Sequence, residues 1–526
     1  MKYAVSTEEM KRCDRNTISH FGVQGLVLME RAALCVCDEI DTYRDELNED
    51  RNLKVLILAG CGNNGGDGIA VARLLKQRGY NINVSLVGDY TKCTDQLIAE
   101  LKIAENYGIS ADTFSNIRDN KSISEWDIIV DALFGIGCNR PVSGMYAEAV
   151  SYINSCKKER KKSVLVLSVD MPSGVNSDDG KVFNIAVCAD VTVTFNYMKL
   201  GQIMYPGCEY CGRVLIRDAG IYEDGFMQKL PRVFYYDENP KDLLPLRKAN
   251  GNKGTFGRIL VIAGSDDIYG ACAFCSRAAF GSGAGMVRVF TSDNNRTVLQ
   301  SQIPEAMIDT YECGNEPYVI EALRNNLKKA LEWSTEIIIG PGLGTGKKSK
   351  AILEMVLEEY DRNIVMDADA LNMVAEDDGL MSLLSGYSRD EKGIIITPHL
   401  AEFARLYGLD VKTCKENIMD YVGKLASKLN CTVICKDART IVATSHSSKM
   451  YINVTGNDGM ATAGSGDVLA GIVGALWQSG LDIFEAACVG TYIHGLSGDM
   501  AAEKKGKASM IASDIIEYLP QIIDNK

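Results

Sequence analysis

The stretch VTGNDGMATAGSGDVLAGIVGALWQSG, residues 454–480, runs from a glycine-rich turn into a long apolar pattern. The unpaired N–H groups at a helix start, together with the positive end of the helix dipole, form a site for anions. Gly464 and Gly466 would let a phosphate approach the backbone closely. The stretch predicts a phosphate-binding turn and a helix beginning near Gly466, with a tight connection that binds nothing as the alternative.

Asp467 follows this turn directly, so a carboxylate stands beside the predicted anion pocket. That placement makes chemical sense if the phosphate is transferred rather than held. The carboxylate can accept the proton of an attacking hydroxyl while the helix start stabilises charge on the phosphoryl group. The other interpretation is an acidic residue that interacts favourably with the helix dipole. The local sequence does not decide between the two.

The length of 526 residues predicts two domains. Near the N-terminus, Ser6 and Glu9 have the spacing of a capping box, followed by two helical patterns that run to about Arg44. From Leu53 onwards, short apolar strands alternate with amphipathic helices, the first of them expected over 67–78. Strands that are apolar on both faces predict a parallel, doubly wound, Rossmann-like sheet covered by helices.

The same alternation begins again after Asn252. The apolar strand patterns of this half are GRILVIAGS 257–265, MVRVFTS 286–292, TEIIIGPGLG 335–344, NIVMDADALN 363–372 and GIIITPHLAEF 393–403. The stretch 220–251 between the halves is polar, irregular and interrupted by prolines, which is typical of a boundary. We therefore predict an α/β protein with domains at 1–229 and 230–526.

The formal charge of −13, from 56 Lys and Arg against 69 Asp and Glu, disfavours binding to nucleic acid or to anionic membranes. The basic runs 157–162 and 503–505 are short and fit solvated helix ends or loops. No secretion signal and no membrane-spanning window are visible, so we expect a cytoplasmic protein.

Cysteine usage indicates thiols in a reducing compartment rather than a disulfide framework, because the 17 cysteines lie scattered in apolar segments. Two CxxC pairs occur, Cys208 with Cys211 and Cys272 with Cys275. Zinc ribbons place such pairs about 15–20 residues apart, whereas these are some sixty apart. We therefore expect no zinc site.

The second half resembles the ribokinase-like fold, and within it the NAD(P)H-hydrate dehydratase branch. The motifs that carry the resemblance, besides the opening stretch, are NKGTFGRILVIAGS 252–265, AAFGSGAGMV 278–287, IIIGPGLG 337–344, DADALN 367–372, TPHLAEFARL 397–406 and YIHGLSGDMAA 492–502. This resemblance implies an α/β/α domain. Its implied chemistry is phosphorylation of a hydrated nicotinamide at its hydroxyl by ADP, with Mg²⁺, followed by loss of phosphate.

The resemblance also implies site residues, with Asp467 as the catalytic base. The nucleotide would contact Lys436, Asp437, Ala438, Arg439, Thr440 and Gly466, and the hydrated nicotinamide would contact Ala271, Gly344, His399 and Asp467. Three residues depart from the family pattern: Asp437 and Ala463 replace glycine, and Asp458 replaces proline. The extra carboxylate at Asp437 could weaken nucleotide binding or alter the choice between ADP and ATP; we keep ADP as the expected donor.

Three other polar residues of this half keep their alternatives. His399, without the resemblance, fits a helix-start or core histidine. Asp367 and Asp369 end an apolar strand, a usual place for site residues in an open α/β sheet, but solvated strand-end acids are the alternative. We assign neither acid a catalytic role.

The first half contains AGCGNNGGDGIAVARLL, residues 59–75, between a predicted strand and a predicted helix. It is not the dinucleotide fingerprint, because Asn63, Asn64 and Asp67 occupy the expected small or variable positions. Side-chain oxygens in such a turn suggest a cation or a polar ligand. Asp131 and Asp170 end two further strands, so we expect them to share one crevice with this turn.

The motifs GxGNNGGDG, DALFGxGxxR and DxPSG resemble the NAD(P)H-hydrate epimerase domain over about residues 1–222. The resemblance implies a potassium ion on Asn64, Asp131 and Ser173, and an acid/base role for Asp170; Lys199 occupies a position often associated with the site. The substrate-binding residues it implies are Asn63, Asn64, Gly65, Gly66, Asp67, Gly135, Ile136, Gly137, Cys138, Asn139, Arg140, Pro141 and Asp170.

Together the halves predict a bifunctional repair enzyme for NADHX and NADPHX, the hydrates of NADH and NADPH. An epimerase would convert the R form to the S form, and the dehydratase would act on the S form with ADP. The rivals are a vitamin or sugar kinase with an accessory domain, and a chain in which one half only binds. A homo-oligomer is compatible with the sequence but is not indicated by it.

Overall fold

The computed structural model describes residues 1–46, 53–159, 164–312, 317–387 and 393–524. The chain forms two compact units, Lys2–Pro231 and Arg232–Lys526. Both units are built from strands and helices that alternate along the chain, so the predicted α/β fold with two sheets is confirmed. No helix in the described ranges is both long and apolar enough to cross a membrane.

The first unit contains nine strands and seven α-helices in its described residues. In chain order these are β1 Lys2–Val5, α1 Thr7–Ser19, α2 Gly25–Glu46, β2 Lys54–Ala59, α3 Asn63–Gln77, β3 Asn81–Leu86, α4 Asp95–Asn106, β4 Ala111–Thr113, α5 Phe114–Asn120, β5 Ile128–Ala132, α6 Met145–Glu159, β6 Leu165–Val169, β7 Val191–Phe195, β8 Met198–Lys199, α7 Leu200–Ile203 and β9 Arg213–Arg217.

The main sheet of this unit has the order β4-β3-β2-β5-β6-β7-β9, and every neighbouring pair is parallel. From the central strand β2, the chain adds β3 and β4 on one side of the sheet. It then returns to the other side of β2, where it adds β5, β6, β7 and β9. The sheet is therefore doubly wound, as predicted. The switch between β2 and β5 is where such sheets form a ligand crevice at the carboxyl ends of their strands.

Two details of the first unit can be compared with the predictions made from the sequence. The capping box at the start of α1 is confirmed, since Ser6 and Glu9 bond to each other's backbone N–H. Helix α3, however, begins at Asn63 and not at Asp67. The chain can coil this early because Gly65 packs on the preceding turn, where a Cβ would lie 1.9 Å from the carbonyl oxygen of Gly60.

The second unit contains ten strands and twelve α-helices in its described residues. They are β10 Val233–Tyr235, β11 Arg258–Ile262, α8 Gly270–Gly281, β12 Met286–Ser292, α9 Arg296–Gln302, β13 Met307–Tyr311, α10 Pro317–Trp333, β14 Glu336–Ile339, α11 Lys347–Glu359, β15 Asn363–Met366, α12 Asp369–Glu376, α13 Asp378–Tyr387, β16 Ile394–Ile396, α14 Leu400–Tyr407, α15 Val411–Glu416, α16 Ile418–Leu429, β17 Thr432–Cys435, β18 Ile441–Thr444, β19 Ser447–Ile452, α17 Ser465–Gln478, α18 Ile483–Lys505 and α19 Ala512–Ile523.

The sheet of this unit has the order β13-β12-β11-β14-β15-β16-β17-β18-β19-β10. It is parallel from β13 to β17, and β18 then pairs antiparallel with both β17 and β19. Strand β10 adds in parallel to β19. Sequence reasoning missed β10, because its three residues lie inside the stretch 220–251 that was expected to be irregular.

Helix α17, which carries the turn at Gly464, lies in the interior and packs closely on α8. Its residues Val468–Trp477 are all buried. The contact depends on Gly471, where a Cβ would lie 2.3 Å from the carbonyl oxygen of Cys275 and 2.8 Å from the Cβ of Ala278. Glycine therefore fixes the depth at which the helix enters the core.

Replacing Gly471 by Ala should destabilise the second unit by about 1–3 kcal/mol, because the added methyl group overpacks the contact between α8 and α17. The measurement is urea or thermal unfolding. Gly386→Ala is the matched control, since Gly386 also lies in a helix but an added Cβ would meet no other atom within 4 Å. That variant should be unchanged or up to about 1 kcal/mol more stable. Equal stabilities of the two variants would contradict the proposed contact.

Candidate active sites

The first unit has a cavity of about 1000 Å³ at the carboxyl edge of its sheet. This volume is at the upper end of the range for small-molecule sites. The sequence-predicted residues that line it are Asn63, Asn64, Asp67, Gly135, Ile136, Gly137, Cys138, Asn139, Arg140, Pro141 and Asp170. The structure therefore brings the two predicted substrate segments and Asp170 to one cavity.

Gly65 and Gly66, which were also expected to contact substrate, lie behind the cavity wall. Both are buried in the first turn of α3. A Cβ at Gly66 would lie 2.8 Å from the sulfur of Met29, and Gly65 packs on Gly60. These two glycines let α3 pack closely, and this positions Asn63 and Asn64.

Asp170 is held by a buried lysine. Its Oδ1 lies 2.5 Å from Nζ of Lys199, whose side chain is 1% exposed. Nζ of Lys199 also donates to the hydroxyl of Thr194 at 2.8 Å, and Gln202 donates to the carbonyl oxygen of Asp170 at 2.7 Å. Asp170 has a left-handed backbone with φ of 65°. The carboxylate is thus a fixed, ion-paired group in the cavity wall.

Asp131 does not line the crevice as expected, because it is fully buried beneath it. Its carboxylate accepts hydrogen bonds from the Ser168 hydroxyl at 2.8 Å, the Ser173 hydroxyl at 2.6 Å and the Ser173 N–H at 2.9 Å. Burial raises the pKa of Asp131, and these hydrogen bonds oppose the rise. The hydroxyl of Ser173 in turn accepts from the N–H of Phe134, so this buried network fixes the start of the segment 134–141.

Asn64 lines the cavity. A Cβ at Gly135 would lie 3.2 Å from Oδ1 of Asn64 and 3.4 Å from Oδ2 of Asp170, so these three residues are neighbours. The amide nitrogen of Asn64 is buried and has no hydrogen-bond partner. A half-turn of the amide would place its oxygen at that buried position.

The cavity also contains acidic and basic side chains that sequence reasoning did not select, among them Asp14, Lys11 and Lys92. Burial raises the pKa of Asp67 well above its ordinary value, and the charges of Asp170 and Asp14 add to the rise. The spacing of polar residues along α1 was a signal for Lys11 and Asp14, but nothing in the sequence related that helix to this cavity.

In the second unit, Asp467 lies in the first turn of α17, three residues after Gly464 with its φ of 92°. A Cβ at Gly464 would lie 2.6 Å from the ring of Phe274, so the turn requires glycine. Burial raises the pKa of Asp467 to about 7; Asp367 adds to the rise and Lys436 opposes it. A carboxyl group with this pKa is suited to accept a proton near neutral pH.

Lys436 is placed at the same turn. Its Nζ lies 2.7 Å from Oδ1 of Asp367, and a Cβ at Gly466 would lie 3.0 Å from that Nζ. Asp367 is 1% exposed, so the alternative of a solvated strand-end acid is wrong for this residue. A largely buried ammonium group therefore lies beside the helix start that was predicted to bind phosphate.

His399 caps helix α14. Its Nδ1 accepts from the N–H of Ala401 at 3.1 Å, and its Nε2 lies 3.3 Å from Oε1 of Glu402. Because Nδ1 accepts, the ring proton is on Nε2. Burial and the charge of Lys436 lower the pKa of His399. The predicted helix-start position is confirmed, and 51% of the side chain is exposed.

The other predicted positions also lie near this turn or on the loops around it. The N–H of Gly344 donates to Oδ2 of Asp369 at 2.8 Å, and a Cβ at Gly342 would lie 3.2 Å from the Cβ of Ala271. Residues 437–440 form the turn between β17 and β18. In that turn Asp437 is exposed and lies 3.7 Å from Nζ of Lys415.

Helix α18 supports the turn in a way that the sequence did not reveal. Asp499 accepts from the N–H of Gly456 at 2.8 Å and from the side chain of Asn457 at 3.0 Å. The ring of His494 lies 3.3 Å from the hydroxyl of Ser465, and burial lowers its pKa to about 4. The motif YIHGLSGD was visible in the sequence, but its contacts were not, because they are made across the fold.

Replacing Lys199 by Met should destabilise the first unit by about 3 kcal/mol, because Asp170 would lose its buried counter-charge. Denaturant unfolding is the measurement. Lys181→Met removes an exposed pair with Asp179 (2.8 Å) and should cost less than about 1 kcal/mol. A similar loss in both variants would show that the Lys199 pair contributes no more than a surface contact.

Known proteins resemble both halves of the chain. A family model described as NAD(P)H-hydrate dehydratase matches residues 259–521, and one described as YjeF-related protein N-terminus matches residues 25–201. The bifunctional NAD(P)H-hydrate repair enzyme of Thermofilum pendens is 34% identical, with 98% of this chain and 95% of that protein covered. The enzyme of the same name from Moorella thermoacetica is also 34% identical, with 99% and 97% covered.

Among solved structures, the ADP/ATP-dependent NAD(P)H-hydrate dehydratase of Bacillus subtilis, co-crystallised with ATP and Mg²⁺, is 27% identical. The similarity covers 54% of this chain and 95% of that one, with a TM-score of 0.47. The sequence comparisons cover both halves of the chain and nearly the whole length of the relatives. The chain therefore belongs to the family of bifunctional NAD(P)H-hydrate repair enzymes.

Proposed function

We propose that the unit Lys2–Pro231 interconverts the R and S hydrates of NADH and NADPH, and that the unit Arg232–Lys526 dehydrates the S form with ADP. The observation that carries the proposal is the setting of Asp467. Its carboxyl group, with a pKa raised to about 7, lies at a buried helix start beside the ammonium of Lys436. The family to which the chain belongs supports the pairing of two activities.

In the dehydratase step, Asp467 accepts the proton of the hydrate's hydroxyl as that oxygen attacks the terminal phosphorus of ADP. The N–H groups at the start of α17 and Nζ of Lys436 stabilise charge on the transferred phosphoryl group. AMP leaves, and the ring then expels phosphate together with the former hydroxyl oxygen. Loss of a ring proton restores the double bond, so the products are the reduced nicotinamide, AMP and phosphate.

The nucleotide would lie on the turn 436–440 and Gly466, and Mg²⁺ would supply positive charge to its phosphate oxygens. Asp437, the departure from the family pattern, is partly compensated by Lys415 at 3.7 Å and lies at the surface. Its carboxylate is therefore compatible with a bound nucleotide. We keep ADP as the donor.

In the epimerase site, Asp170 is the proposed proton-transfer residue, because it is fixed by Lys199 and faces the cavity. With the Asn64 amide turned by half, Asn64, Asp131 and Ser173 offer only oxygen ligands, which fit a potassium ion; the present buried amide nitrogen of Asn64 has no partner that opposes this turn. When bound, the ion would supply positive charge beside the buried carboxylate of Asp131. Arg140, Lys11 and Lys92 provide cations for the phosphates of the substrate.

The kinase alternative expects a stable phosphorylated product and an inactive first unit. The cavity argues against an inactive first unit, because it retains Asp67 and the ion-paired Asp170. The membership of both halves in one family of repair enzymes disfavours this alternative as well.

The proposal is tested with separated R and S hydrates of NADH, incubated with the full chain and ADP, ATP or no nucleotide. Return of the absorbance of reduced nicotinamide from both epimers, only with nucleotide, is the expected result. Asp467→Asn should lower dehydration at least about 100-fold and leave interconversion of the epimers intact, because only the base of one site is lost. Asp170→Asn should show the reverse pattern, and loss of both activities in either variant would refute independent sites.

Dehydration should depend on pH through the ionisation of Asp467. Because the base must be deprotonated and its pKa is raised to about 7, the rate should rise with pH below neutrality and level off above it. Asp367→Asn removes a charge that raises this pKa, so the midpoint of the profile should move to lower pH. Asp361→Asn, an exposed acid of the same unit, should leave it in place. The measurement is the dehydration rate across the acidic and neutral pH range. An unchanged midpoint in Asp367→Asn would contradict the electrostatic coupling between Asp367 and Asp467.

A further inference from the structure

We propose that Asp14 is the second proton-transfer residue of the epimerase cavity, giving a proton to the departing hydroxyl while Asp170 receives one from the returning water. The inference rests on the epimerase activity proposed above. It assigns a role to a residue that none of the recognised motifs contains.

The position of Asp14 follows from the two faces of α1. Four residues of this helix at helical spacing line the cavity: Met10, Lys11, Asp14 and Ile18. The opposite face is attached to the turn at Gly225, where Asn16 donates to its carbonyl oxygen at 2.8 Å. A Cβ at Gly225 would lie 2.6 Å from the sulfur of Cys13, so the contact is close. The helix therefore holds Asp14 against the cavity.

The charges around Asp14 favour different proton-transfer roles for Asp14 and Asp170. Residues with charged side chains that line the cavity are Lys11, Asp14, Asp67, Asp89, Lys92, Arg140, Asp170 and Lys199. Lys199 is paired with Asp170 and compensates the negative charge of that carboxylate. Burial, and then the charge of Asp170, raise the pKa of Asp14. Asp14 is thus suited to give up a proton, and Asp170, the carboxylate that pairs with Lys199, is left to receive one.

These two roles suit an epimerisation in which the hydroxyl leaves as water and water then adds to the same carbon. The proton of Asp14 passes to the hydroxyl oxygen, the carbon–oxygen bond breaks and water departs. The lone pair of the ring nitrogen forms a double bond to that carbon, which leaves the ring with a positive charge. Water then adds to the other face, Asp170 takes its proton, and the electron pair returns to nitrogen.

The return of the proton from Asp170 to Asp14 through solvent completes the cycle without any net co-reactant. The cavity favours this route because proton donation leaves Asp14 as a carboxylate facing the cationic ring, in the wall that also carries the carboxylate of Asp170. A route through ring opening would pass through a neutral aldehyde, which gains much less from the same groups.

The test follows the two hydrates by chromatography with the full chain and no nucleotide, so that dehydration does not interfere. After subtraction of the uncatalysed rate, Asp14→Asn should interconvert the hydrates at least about 100-fold more slowly than wild type, while hydrate binding stays within about threefold. Glu8→Gln, an exposed acid on the same helix, should behave as wild type. Interconversion by Asp14→Asn at a rate close to that of wild type would overturn the assignment.

A second pair of measurements excludes a merely structural role. Formate should restore part of the activity of Asp14→Gly, because a small carboxylic acid can occupy the vacated space, and no rescue would count against proton donation. In ¹⁸O-water, wild type should place one solvent oxygen in each inverted hydrate; retention of the original oxygen would overturn the leaving route. A wild type that does not interconvert the hydrates overturns the proposed epimerase itself, whereas an active wild type with an active Asp14→Asn overturns only the role of Asp14.

Discussion

Each unit depends on one lysine that neutralises one largely buried carboxylate at the end of its sheet. In the first unit Lys199 pairs with Asp170, and in the second Lys436 pairs with Asp367. A carboxylate in a poorly hydrated site is costly unless a cation lies beside it. Burial raises the pKa values of Asp467 and Asp67, and the charges of nearby acids add to the rise. The proposed proton donors and acceptors of the two sites are thus carboxyl groups that differ in how far a lysine compensates their charge.

Glycine packing places these groups at the required depth. Gly65 brings α3 against Gly60, and Gly471 brings α17 against α8. Each helix starts at the carboxyl edge of its sheet, so a helix that could not approach this closely would carry its first turn out of the site. The half-buried positions of Asn64 and Asp467 are consequences of contacts made by residues without side chains.

The sequence predicts those parts of the fold and site that are encoded locally. The alternation of strand and helix, the capping box and the turn before Asp467 follow from residues close together in the chain. Asp14 and the depth of Asp131 were missed, because the first depends on which face of α1 meets the cavity and the second on hydrogen bonds to Ser173, forty-two positions away. Strand β10 was missed because three residues are too few to show a period.

The turn 436–440 between β17 and β18, where we propose that the nucleotide binds, is fixed at both ends. The N–H of Lys436 donates to the carbonyl oxygen of Pro398 at 2.8 Å, and the carbonyl oxygen of Thr440 accepts from the N–H of Asn453 at 2.9 Å. Since the loop is short and already tied to neighbouring strands, a nucleotide would have little chain to order on binding. The conformational entropy lost on association should be small, so differences in affinity between nucleotides should be set by direct contacts to their phosphates and base.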